Sequence, residues 1–157
     1  MIAFAPDFSP GSDAGLSSEA EFLHELRYRH VASSPSVDAS RRLETLQQVQ
    51  DAAQSSAYDD WDGEGASAVE QSTVRYAAKF VWALPQGVTS PDVLVDRDGD
   101  LVFDWGTTAR RTFSVSVGRD GTLSYAGVFD QAHTHGKELF TGAIPATILV
   151  SIDRVSR

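Results

Sequence analysis

From Asp92 onward apolar residues recur at every second position, and the alternation is interrupted twice by an Asp-Gly pair. Val93 and Val95 lead to Asp96-Arg97-Asp98-Gly99-Asp100, after which Leu101, Phe103 and Trp105 alternate. Phe113, Val115 and Val117 then alternate with Thr112, Ser114 and Ser116, and Arg119-Asp120-Gly121 leads into Leu123 and Tyr125. A period of two sends successive side chains to opposite faces of a strand, and glycine supplies the positive φ that a tight hairpin needs. Two successive hairpins predict a four-stranded antiparallel β-meander. Its Thr/Ser face can meet water, whereas its apolar face demands a covering layer.

The rest of the chain supplies that layer. Ser18 and Glu21 have capping-box spacing, and Phe22, Leu23, Leu26 and His30 predict a short helix over about 19–31. Ser33-Ser34-Pro35-Ser36 breaks it. A second helix is expected from near Asp38 to Tyr58, with Leu43, Leu46, Val49, Ala53 and Ala57 as a narrow apolar stripe. A third is expected over about 66–84, with Val69, Thr73, Tyr76, Phe80 and Leu84 inward, ended by Pro85 and Gly87. Residues 130–143 carry Gly136, Gly142 and two histidines and read as a loop with at most a short extended piece. Pro145 suits the first turn of a last helix, about 145–155, bearing Ile148, Leu149 and Ile152. Helices, then strands, then a helix is the order of an α+β fold with its helices on one sheet face. Residues 1–18, rich in Pro, Ser and Gly, read as a flexible N-terminal tail, and 19–157 as a single domain.

Composition narrows the function classes. The chain has 157 residues and no cysteine, which removes disulfides, thiolate chemistry and cysteine-based zinc sites. Twenty-two acids against 13 bases give a net charge of −9, which argues against a nucleic-acid surface and suits a basic protein partner or simple solubility. Arginine outnumbers lysine eleven to two and asparagine is absent, a bias expected of a GC-rich bacterial genome. No apolar run is long enough to span a bilayer, and the N-terminus lacks the basic segment of a signal peptide. A cytoplasmic protein without membrane contact is expected.

The densest chemistry lies in Tyr58-Asp59-Asp60-Trp61-Asp62-Gly63-Glu64-Gly65-Ala66. Asp59, Asp60, Trp61, Asp62 and Glu64 are the candidate partner-binding residues, with the carboxylates receiving basic side chains or else a divalent cation, although their spacing lacks the ligand ladder and closing glutamate of a calcium loop. The competing structural reading packs Trp61 into the core, turns the chain at Asp62 and uses the glycines for positive φ before a helix. The structural joint is favoured over the site. Asp96, Asp98 and Asp100 superficially suggest a calcium loop, but Thr107 occupies its twelfth position and no helices flank it, so a hairpin turn is the better account. His133 and His135, as an H-x-H pair, project to one side of an extended segment and are the candidate metal ligands. They lack a third ligand at diagnostic spacing, and Asp130 and Glu138 are merely nearby. Trp105 and Tyr125, at alternating strand positions, read as core rather than as stacking surfaces. No cofactor is implied. No nucleophile elbow, phosphate-binding glycine loop or H-E-x-x-H motif is present. Arg110-Arg111 reads as an edge-strand guard.

Trp61-Asp62-Gly63-x-Gly65-Ala66, the helix ending Phe80-x-x-x-Leu84-Pro85 and the Asp-Gly hairpins that follow resemble a group of small uncharacterised bacterial proteins. Those proteins carry a W-D-G-x-G-A loop before a helix and a hydrophobic β-meander. The resemblance covers about residues 58–155 and implies the fold without implying a reaction. The expected function is a non-enzymatic protein-interaction module with a regulatory, antitoxin-like or immunity-like role, in contact through Tyr58–Glu64 or the open polar sheet face. The alternative is a metal-dependent hydrolase using His133, His135 and a nearby carboxylate.

Overall fold

A computed structural model describes residues 35–157, with side chains from Val37 onward. The expected tail over 1–18 and the helix over 19–31 lie outside the described residues. The remainder is α+β, in the order α1 (Pro35–Ser55), α2 (Gln71–Ala83), β1 (Asp92–Val95), β2 (Leu101–Asp104), β3 (Arg111–Val117), β4 (Thr122–Phe129), β5 (Ala132–Leu139) and α3 (Ala146–Ser156). The strands form one antiparallel sheet in sequential order. It has five strands where four were expected, because the segment read as a loop, Ala132–Leu139, pairs with β4 along its whole length. The reason is visible in its burial. His133, His135, Lys137 and Leu139 are exposed, and Thr134, Gly136 and Glu138 are only half-buried, so no apolar alternation marks the strand.

Both Asp-Gly turns form as expected, with Gly99 and Gly121 each at φ 82°. One sheet face carries Leu101, Phe103, Phe113, Val115, Val117, Leu123 and Phe129, all buried, and the three helices cover it. Val49 of α1, Phe80 and Val81 of α2, and Ile148 and Ile152 of α3 join them in one core cluster. Phe80 lies with its ring centroid 5.0 Å from that of Phe103, and Trp105 is buried beside Phe113 rather than presented as a stacking surface. The Trp105 indole N–H donates to the Thr89 carbonyl at 2.7 Å, which satisfies its one polar group.

Helix boundaries depart from the periodicity for local reasons. Pro35, expected as a breaker, opens α1, where its missing N–H costs no intrahelical bond. Leu43 of the expected stripe faces solvent instead, and Thr45 is buried with Val49. α2 begins five residues later than expected. Residues 66–70 stay out of the helix because their amides go elsewhere: Ser67 N–H donates to Arg97 O at 2.9 Å and Val69 N–H to Ser56 O at 2.8 Å. At its other end Pro85 disfavours helical backbone at the preceding residue, and Leu84 is extended at ψ 131°. α3 matches its expected span to within a residue and buries Ile148, Leu149 and Ile152.

Candidate functional site

The Trp61 loop is a closed knot of carboxylate-to-amide bonds. Asp62 Oδ1 accepts from Glu64 N–H at 2.8 Å and from Ala66 N–H at 3.0 Å. Asp60 Oδ1 accepts from Gly65 N–H at 2.7 Å, and Asp59 Oδ1 from Ala68 N–H at 3.0 Å. The Asp60 N–H donates to the Ala66 carbonyl at 2.7 Å. Such bonds are what lets a short acidic loop hold a non-repetitive path without a core of its own. Asp60, Gly63 and Gly65 all take positive φ, at 61°, 74° and 89°. The amides of Glu64 and then Ala66 hold the Asp62 carboxyl below the usual carboxylate range, with a smaller contribution from Arg97.

Trp61 is half-buried and stands outside the core cluster, and its indole N–H donates to Ser67 O at 3.1 Å, so it straps the loop rather than filling the core. The loop also precedes an extended segment, not a helix, so its acids do not face a helix N-terminus. The knot is fastened to the β1–β2 turn by Arg97, whose guanidinium donates to Glu64 O at 2.6 Å and lies 3.6 Å from Asp62 and 3.5 Å from Glu64. Of the five candidate residues, Asp59, Asp60 and Asp62 are engaged with backbone amides. Glu64 reaches outward toward Arg97, which is itself exposed, and Tyr58 is exposed beside them.

A polar crevice of about 470 Å³ opens where the two hairpin turns meet the extended segment before α2. Asp98, Asp100, Asp120 and Glu70 line it, with Arg119 and Lys137. Arg119 Nη1 donates to Glu70 Oε1 at 2.7 Å. Burial, then the nearby charge of Asp96, pushes the Asp100 carboxyl up, and Asp98 and Asp120 add to the repulsion; the Ser116 hydroxyl opposes it. Asp120 is held in the other direction by the Thr122 amide. Asp96 Oδ1 accepts from the amides of Asp98 and Asp100, both at 3.0 Å, which is the work of a turn.

On the open face Asp104 accepts from Thr112 and Ser114 hydroxyls at 3.3 and 3.1 Å. His133 and His135 sit on that same face of β5, opposite Val128 and Ala126 of β4, with Lys137 opposite Ser124. No group of three His, Asp or Glu side chains able to hold a metal ion occurs among the described residues. The pair therefore stands two residues apart on a strand edge, with no third ligand among the described residues. Glu138 points to the other face, where the Tyr125 hydroxyl lies 3.4 Å from its carboxylate. One buried acid had no signal in the sequence. Asp38 Oδ1 accepts from Gly87 N–H at 3.3 Å, and with the Arg42 bond to Leu84 O at 2.9 Å it ties α1 to the segment after α2.

Comparison with protein-family models, with curated proteins and with solved structures finds no match to the chain.

β5 is the sheet's open flank. It touches β4 and no other described element, whereas α1 covers β1 and β2, α2 covers β2 and β3, and α3 covers β3 and β4. β1, the opposite edge, is four residues long and guarded, since the Gln48 side chain of α1 accepts from Val93 N–H at 3.1 Å. β5 is eight residues long, pairs one-to-one with β4 without a bulge, and contains no proline.

Proposed function

We propose that this chain is a non-enzymatic protein-interaction module whose contact is the β5 side of the sheet and its open polar face. The observation that carries the reading is β5 itself: a long, unbulged edge strand that no described helix covers. An edge strand presents a row of backbone N–H and C=O groups that pair with another chain unless something blunts them. Here Lys137 is the only lysine on that edge. The bonding of the acids supports the same choice of surface. Asp59, Asp60, Asp62, Asp96 and Asp104 each accept hydrogen bonds from neighbouring amides or hydroxyls, which is the behaviour of turn and loop fasteners. A regulatory, antitoxin-like or immunity-like role is the setting in which such a module acts.

The test places a photo-crosslinking amino acid at Thr134 of β5, at Tyr58 of the acidic loop and at Gln50 on the outer side of α1, each in the native host. The reading expects a discrete crosslinked product from Thr134 alone. Products from Tyr58 alone move the contact to the acidic loop, and products from no position remove the reading. The metal-dependent hydrolase reading gains no third ligand among the described residues.

A further inference from the structure

We infer that the β5 edge accepts an extended, acidic polypeptide segment as a sixth strand, with its carboxylates opposite His133, His135 and Lys137. The inference rests on the interaction-module reading and names the chemistry of the partner. Two observations carry it: the outer edge of β5, which no other described element covers, and the side chains that flank it.

His133, His135 and Lys137 stand at alternate positions of one strand and all three are exposed. Their cross-strand neighbours on β4 are Val128, Ala126 and Ser124, none of which carries a charge. No acid of β5 shares their face, because Glu138 belongs to the opposite one, beside the Tyr125 hydroxyl. In a chain of net charge −9, a count that takes histidine as neutral, this row sets one cation beside two imidazoles able to donate hydrogen bonds, and it lies where an added strand would set its own side chains. A strand added to this edge gains affinity from main-chain hydrogen bonds and specificity from every second side chain. Directly opposed side chains interact at about 4.5–5.5 Å between Cβ atoms, close enough for carboxylates to pair with this row.

The same row disfavours a second copy of β5. A two-fold pairing about Gly136 sets His135 against Lys137 of the other copy, and one about His135 sets His133 against that Lys137. Neither register sets a carboxylate against Lys137, because Glu138 meets Thr134 or Ala132, so a second copy offers this row no acid to pair with. The net charges of two copies also repel. The crevice acids next to Lys137 add a direction: beyond Leu139 and Thr122 the segment meets Asp120 and Asp98, so its carboxylates belong over the His133–Lys137 stretch and not past it.

The experiment uses the full chain and fluorescently labelled peptides long enough to span the eight residues of β5. One alternates glutamate with threonine. Two others replace the glutamates with serine or lysine, and a fourth is the glutamate peptide N-methylated at alternate residues. The expected result is saturable binding of the glutamate peptide, lost on N-methylation. Lys137→Glu weakens it about fivefold and His135→Glu with Lys137→Glu weakens it further, while Glu44→Gln, at an exposed position of α1, leaves it unchanged. Equal binding of the N-methylated peptide overturns strand addition. Tighter binding of the serine or lysine peptide overturns the acidic assignment and leaves the module reading standing. A β5 edge already protected from amide exchange in the free chain also overturns it, because a second copy or another part of this chain then holds the edge. Crosslinking from Thr134 with no binding of any peptide separates the two levels, sinking the strand-addition inference alone.

Discussion

Gly99 and Gly121 occupy equivalent places in the two hairpins and share the same φ, 82°. They differ in what lies outside them. A Cβ on Gly99 would stand 2.5 Å from the Ala68 carbonyl oxygen and 3.1 Å from that of Ser67, both in the extended segment that leaves the Trp61 knot. A Cβ on Gly121 would meet the Tyr76 ring, at 2.8 Å from Cε1. Left-handed backbone costs a non-glycine residue about 1–2 kcal/mol, and that cost is common to both alanine variants. Overpacking against a held backbone adds about 1–3 kcal/mol. The Gly99→Ala variant should therefore lose about 2–5 kcal/mol, from a total of about 5–15 for a domain. Gly121→Ala should lose about 1 kcal/mol less, because a half-buried tyrosine ring can swing where a bonded peptide cannot. Urea denaturation monitored by circular dichroism gives both midpoints and slopes. If Gly99→Ala costs under about 1 kcal/mol, or no more than Gly121→Ala, the knot is not fastened to the hairpin as described.

Two further outcomes concern the acids. The folded state raises the Asp100 pKa above the ordinary 3.8, so this group destabilises the native chain progressively as pH rises through its raised value. Asp100→Asn keeps an acceptor for the Ser116 hydroxyl, should stabilise the protein at neutral pH, and should lose that advantage below about pH 3.8, as read from thermal midpoints across pH. Asp62 shifts the opposite way: its contribution is complete above 3.8 and is lost as pH falls through its lowered value. Asp62→Ala should accordingly speed cleavage after Glu64 by a glutamate-specific protease at neutral pH, and an unchanged rate would show that the two amide bonds do not hold the loop.

The parts of the fold legible in the sequence are those where one face is dry. Leu101, Phe103, Phe113, Val115, Val117 and Leu123 announce their strands because burial enforces a period of two, and Asp98-Gly99 and Asp120-Gly121 announce the turns through backbone chemistry. Ile148, Leu149 and Ile152 do the same for α3. β5 obeys no such rule. Both of its faces are largely open, so His133, Thr134, His135 and Gly136 carry no pattern, and among the described elements the strand is held by β4 alone. The start of α2 was hidden for a related reason: Val69 fits a helical stripe, yet its amide is committed to Ser56 O. The acidic loop was legible as a joint, since an Asp-rich turn with two glycines is a local device. Its clasp by Arg97, which stands 33 residues from Glu64 in sequence, was not. The candidate surface shares the fate of β5, because a site on an unpatterned edge becomes visible only once its register is known.

Amide hydrogen exchange of the free chain, resolved residue by residue, separates the two surfaces most directly. The account predicts slow exchange at Gly65, Ala66 and Ala68, whose N–H groups are accepted by Asp60, Asp62 and Asp59 although the loop lies at the surface. It predicts fast exchange at alternate amides of Ala132–Leu139, those that point away from β4. Rapid exchange throughout the loop, with uniform protection along β5, would contradict it: the loop would then be the free surface and the edge the one already paired.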